Sequence, residues 1–151
     1  MSKSILAQLG DQIVDLINSS HLAKAVRRYT PEVDLDSITR DPQVYIRSSI
    51  AEEPLQDMPH SRGARFVDAP YDLLLTARVD DYDIRDIDGL VGLYEDLDAF
   101  IYKNGRILNI EKLSIAAQWV RSRIDTTVNR EDLRERKVVQ VAGQIIYRYT
   151  W

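Results

Sequence analysis

Cysteine is absent from the chain, so neither a disulfide nor a thiolate zinc site can be part of it. A cysteine-free composition suits a reducing compartment. Histidine is nearly as scarce, with His21 and His60 standing far apart and no HExxH or HxH spacing, which argues against a histidine metal centre. His60 lies beside Ser61 and near Asp57, the residue types of a hydrolytic triad. A triad is assembled in space rather than along the chain, no GxSxG elbow accompanies these residues, and the simpler reading of His60 is a solvated loop residue. The six glycines form neither a GxGxxG fingerprint nor a Walker loop, so no nucleotide-phosphate cradle is written here. Long apolar runs are missing too. No window approaches the roughly 18 residues of a membrane-crossing helix, and the opening MSKSILAQLGDQ lacks the apolar stretch and cleavage site expected of a secretion signal. Positive charge is not in excess either. The net charge of -4 runs against the basic footprint of a protein that lives on nucleic-acid phosphates.

What is present suffices for a core. With 151 residues and 44% hydrophobic content, residues 1–151 read as one domain. A globule of this length buries roughly 70% of its unfolded surface. Ile5, Leu6, Leu9, Ile13, Leu16 and Ile17 recur every three or four residues, predicting a helix over 2–19 capped by Ser2 or Ser4. Gly10 is the weak point of that pattern. Short strands are expected over 23–29 and 43–47, with a turn at Asp36-Ser37-Ile38-Thr39. A long loop follows at about 48–64, and a loop of that length is commonly a contact surface. Residues 65–79, RFVDAPYDLLLTARV, carry the longest strand signal, with a bulge or edge position expected at Pro70. Helical periodicity returns over 84–102 and stops at Lys103-Asn104-Gly105. Strands are expected again over 114–123 and 137–151, separated by a charged loop at about 124–136, and Gly143 suggests a bulge. The sum is an α+β fold: an antiparallel or mixed sheet of about five strands with two main helices packed on one face.

The stretch VDDYDIRDIDG, residues 79–89, is dense in carboxylates. With Gly89 at the sixth position of a calcium loop, Asp86 and Asp88 fall at the third and fifth and Glu95 at the twelfth. The first position is then Ile84, which has no ligand atom, and the apolar stripe Ile84, Ile87, Leu90, Val91 runs straight through. The stretch is therefore expected to open a helix, its carboxylates favouring the positive end of the helix dipole. No catalytic, cofactor-binding or metal-ligating residue is assigned, and the chain is not expected to be an enzyme.

Two basic clusters stand out, Arg27-Arg28 and Arg62-Gly63-Ala64-Arg65. They suit either neighbouring carboxylates or an acidic or nucleic-acid partner. Arg121, Arg123, Arg130, Arg134 and Arg136 alternate with Asp125, Glu131, Asp132 and Glu135, a mixture better matched to a subunit contact than to DNA. Tyr147, Tyr149 and Trp151 recur at period two, and both sheet packing and interface anchoring fit them. The candidate contact residues are thus Arg62, Arg65, Arg130, Arg134, Tyr147, Tyr149 and Trp151.

Several strings in this order carry a resemblance: an amphipathic first helix, RRYTP leading to VDLDSI, a VYIR strand, Ser61-Arg62-Gly63 before YDLLLTARV, the acidic-capped helix DIDGLVGLYEDLDAFI, and NREDLRE running into VVQVAGQIIYRYTW. The chain resembles the tail-terminator or tail-completion proteins at the head–tail junction of long-tailed bacteriophages, over nearly its whole length. The resemblance implies an α/β fold whose subunits close into a ring, commonly a hexamer. Such a ring terminates the tail tube and docks it to the connector. Its implied partners are further copies of itself, the tail-tube protein and a connector or head-completion protein, with DNA passing through but not specifically bound. No membrane partner and no cofactor are implied, and the location is the virion neck, assembled in the host cytoplasm. A head-completion (connector or stopper) role and a small nucleic-acid-binding accessory factor are the alternatives.

Overall fold

Ser4 begins the first helix: its hydroxyl accepts the Ala7 N–H at 3.1 Å, satisfying one of the donors that a helix start leaves open. The structure, a computed structural model, describes residues 4–28, 34–49, 66–80, 84–110, 116–128 and 131–150. Helix α1 (Ile5–Ser20) buries Leu6, Leu9, Ile13 and Ile17, the stripe that the periodicity predicts. It ends at His21, whose left-handed backbone (φ 59°) lets its N–H reach the Asn18 carbonyl. Gly10 has a reason to lack a side chain, because the Arg27 guanidinium lies across the helix where a Cβ would stand. Asp11, one residue on, sits 3.8 Å from the Arg27 Nε.

Strands β1 (Lys24–Arg27), β2 (Gln43–Ser48) and β3 (Phe66–Arg78) follow, then helix α2 (Ile84–Asn104), strands β4 (Ile107–Leu108) and β5 (Ala117–Val128), helix α3 (Glu131–Glu135) and strand β6 (Val138–Thr150). They make one mixed six-stranded sheet in the order β1-β2-β3-β6-β5-β4. β1 and β2 run parallel, and every other neighbouring pair is antiparallel. The architecture is α+β as expected, with one strand more than the expected five. Part of the supposed charged loop at 124–136 belongs to β5 and α3. The loop expected at 48–64 lies almost entirely outside the described residues.

Odd-numbered positions of β3 and β6 face the helices. Tyr71, Leu73, Leu75, Val141, Ile145, Tyr147 and Tyr149 form one core with Leu9, Ile13 and Ile17 of α1 and Leu90, Tyr94, Leu97 and Ile101 of α2. Each large side chain so buried contributes roughly 1.5–3 kcal/mol. Two tyrosine hydroxyls pin the helices to this face. Tyr71 donates to the Leu6 carbonyl of α1, and Tyr147 donates to the Gly105 carbonyl at the end of α2 over 2.6 Å.

Pro70 and Gly143 show how the sheet tolerates its awkward residues. The Pro70 carbonyl accepts from Ser49 N just past the end of β2, so its missing donor points to that side and not at β6. The β3–β6 register runs through Pro70 without a bulge, and the expected irregularity reduces to a local edge. At Gly143 the bulge is on the partner strand: β5 shifts register between Ile124 and Thr126, while Gly143 leaves room for Tyr94 of α2.

A smaller cluster of Leu35, Ile38, Leu133 and Val138 closes one end. Arg78 ties it down. Its guanidinium donates to the carbonyls of Ile38 (2.9 Å), Leu35 (3.0 Å) and Arg136 (3.1 Å), joining the single turn Leu35–Ser37 and the segment after α3 to β3.

Candidate functional site

The carboxylate-rich stretch resolves first. Asp86, Asp88, Gly89 and Glu95 all lie within α2, a continuous helix from Ile84 to Asn104. A calcium loop needs a sharp turn at its glycine, and a helical Gly89 does not make one. Among the described residues no three metal-ligating side chains converge. Asp81 and Asp83 lie outside the described residues. The exposed side of α2 carries Asp88, Glu95 and Asp96, with Arg85 and Lys103 at its two ends.

The opposite side of the molecule is the outer face of the sheet, which no described helix of the main core covers. Even-numbered positions of β3 and β6 form it. Thr76, Gln140 and Ile146 are buried there, while Asp68, Asp72 and Arg148 are exposed and Leu74, Ala142 and Gln144 half-buried. The register arranges these positions in rows across the strands. One row runs Arg47–Asp72–Gln144–Arg123. A second runs Asp68–Arg148–Gln118, and between them lies Pro70–Ile146–Arg121. The first row has a polar centre: the Ser49 hydroxyl donates to Asp72 at 2.8 Å, and the Gln144 amide reaches Ser49 at 3.5 Å. In the second, Arg148 grips Asp68 with two bonds, Nε to Oδ1 at 2.7 Å and Nη2 to Oδ2 at 3.2 Å. That bidentate grip holds the Asp68 carboxyl below its ordinary range, with help from the charge of Arg121. Beside the first row lies an open groove of about 290 Å³ over Tyr45, Leu74 and Ala142, rimmed by Arg28 and Arg47. Arg28 stacks on the Tyr45 ring, 5.6 Å from its centre. Among the described residues Arg28, Arg47, Arg121, Arg123 and Arg148 thus stand against Asp68 and Asp72, making a basic face on an acidic chain.

A third feature marks the β4 corner of the sheet. Tyr102 of α2, exposed at 49%, meets Trp119 of β5 edge to face with ring centres 5.1 Å apart, and Arg106 lies over the Tyr102 ring at 5.2 Å. Ile107 beside them is 62% exposed. Tyrosine, tryptophan and arginine are the residue types that concentrate binding energy at interfaces.

The expected contact residues fare unevenly. Arg134 is exposed on α3. Arg62, Arg65, Arg130 and Trp151 lie outside the described residues. Tyr147 and Tyr149 are 0% and 1% exposed, so packing is what their spacing encodes, and neither ring meets a partner at the surface. Burial pushes both phenols above their ordinary pKa of 10. The arginine rows are half visible in the sequence, since Arg121 and Arg123 belong to its mixed-charge set. Arg47 and Arg148 join them only through strand register, and the Tyr102–Trp119–Arg106 corner joins residues that share no local motif.

The chain matches no protein-family model and no curated protein. Among the described residues no helix is long and apolar enough to cross a membrane.

Proposed function

We propose that the chain is a ring-forming structural protein at the head–tail junction of a long-tailed bacteriophage, terminating the tail tube and docking it to the connector. One observation carries the reading: the subunit has two unlike surfaces on opposite sides, an arginine-rich open sheet face and a carboxylate-rich α2 face. A heterologous contact between copies needs two different complementary patches, and a closed ring follows when the rotation between them returns to its start. The resemblance in strand and helix order supports the same reading. Its partners in this role are copies of itself, a hexamer by the resemblance, together with the tail-tube and connector proteins. DNA passes through the ring without specific contact, and the protein resides in the virion neck.

Native mass spectrometry and electron microscopy test the proposal. Rings of one size, and tails that fail to join heads when the protein is withheld, are the expected results. A chain that stays monomeric and never joins tails or connectors refutes it. The basic sheet face favours one competing reading, a nucleic-acid accessory factor. That reading requires binding that weakens steeply with salt, and no binding at an ionic strength of about 50 mM, the low-salt end of the range where such contacts are strongest, removes it.

A further inference from the structure

We propose that the open sheet face of one subunit is covered by helix α2 of a second copy, with Glu95 and Asp96 seated over the row that ends in Arg47 and Arg123. The inference rests on the ring reading above and names its contact.

Charge selects the occupant. The whole chain is acidic, at -4, whereas among the described residues its outer sheet face carries arginines in excess, five against Asp68 and Asp72. Helix α2 displays Asp88, Glu95 and Asp96 along the middle of its exposed side, with Arg85 and Lys103 only at its ends. Pairing two sheet faces would set arginine against arginine, and pairing two α2 faces at their middles would set Glu95 and Asp96 against the same carboxylates. Front-to-back packing avoids both.

Shape agrees with charge. Arg47 and Arg123 stand on β2 and β5, with β3 and β6 between them, a separation of about 14 Å at the usual strand spacing. A helix is roughly 10–12 Å across with its side chains, so one laid between the two arginines keeps both within reach of its carboxylates. The floor between them includes Leu74 and Ala142, which are half-buried and not covered by the main helices. Helix α2 meets that floor with little bulk, because Gly89 and Gly92 have nothing within 4 Å of where a side chain would begin. Two glycines inside one helix cost about 1 kcal/mol each relative to alanine. Nothing among the described residues explains them, whereas close approach of a neighbouring sheet does.

The cysteine-free sequence makes the test direct. In a Gln144→Cys/Asp96→Cys variant the two thiols lie on opposite sides of one subunit and cannot meet within it. A short bismaleimide should link this variant into a ladder ending at the ring size, while either single variant stays uncross-linked. Charge reversal supplies a second arm. Arg47→Glu/Arg123→Glu should weaken assembly at least about 100-fold, and adding Glu95→Lys/Asp96→Lys should restore it, with far-UV circular dichroism unchanged throughout. Dimers from Gln144→Cys alone would overturn the inference by showing like faces paired. Intact rings in which the double-cysteine variant does not link, or which survive charge reversal, would overturn it while leaving the ring reading in place. A wild-type chain that forms no multimer, alone or in tails, would overturn both.

Discussion

Replacing glycine by alanine should have opposite effects at two positions in this protein, and the difference measures how α2 lies on the sheet. At Gly143 a Cβ would overlap the Tyr94 hydroxyl and stand 2.6 Å from the Arg123 carbonyl oxygen, where ordinary contact begins near 3.4 Å. The tyrosine can swing aside, but the carbonyl belongs to β5 and moves only with its strand. Overpacking of this kind costs about 1–3 kcal/mol, or roughly 3–10 °C in Tm for a chain of this length. At Gly89 a Cβ meets nothing within 4 Å. Alanine there relieves the helix-interior penalty and should stabilise by about 0.8–1 kcal/mol. Urea unfolding of Gly143→Ala and Gly89→Ala, in dilute solution and with unchanged m, should bracket the wild-type midpoint. Tyr94→Leu in the Gly143→Ala background should recover part of the loss, since residues in contact are not additive. A Gly143→Ala protein as stable as wild type would mean that α2 does not cross β6 at this point.

Further outcomes follow from the same contacts. Arg78→Ala removes three bonds to carbonyls and should destabilise by about 2–4 kcal/mol, with hydrogen exchange accelerating first around Leu35 and Ile38, and Arg78→Lys should not rescue it because one ammonium cannot span three acceptors. Tyr147→Phe should cost about 1–3 kcal/mol by leaving the Gly105 carbonyl without its buried donor, read by calorimetry. Because burial raises the Tyr147 pKa above 10, the folded state keeps a proton that the unfolded state releases. Stability should therefore be full below pH 10 and fall as the pH rises beyond it, less steeply in Tyr147→Phe. Asp68 has the opposite sign. Its pKa is lowered from 3.8, so its contribution is present above that pH and is lost as the pH falls through the lower folded value. Asp68→Asn should remove that part of the acid slope, and an unchanged acid profile would show that the Arg148 pair is not formed in solution.

The two long helices and the two longest strands were legible because each repeats its period many times. Six apolar positions define α1, and alternation runs the length of β6. Strand β4 has two residues and helix α3 has five, too few for any period to show. The fate of Tyr147 and Tyr149 turned on a different matter. Period two tells that they share a face but not which face the helices cover, and only pairing with Val67 and Ala69 of β3 places them in the core. The arginine face was hidden for the same reason. Arg47, Arg123 and Arg148 come from three separate segments, and only strand register sets them side by side. Helix α2 is legible through the acidic stretch because its apolar stripe runs longer than the calcium-loop spacing laid over it.

The position of β6 bears on how the molecule comes to exist. Without it the sheet is two fragments, β1-β2-β3 and β5-β4, each ending in a bare edge with backbone donors and acceptors exposed. Residues 138–150 must enter between them and register with residues 66–78 along their entire length. Such distant pairing carries a high loop-closure cost, so folding should be slow for a protein of this size and its late intermediates should be prone to aggregate. Insertion of the completed strand 138–150 is then the moment at which half-sheets become a single body, and rapid overproduction would trap the molecule on the wrong side of that step.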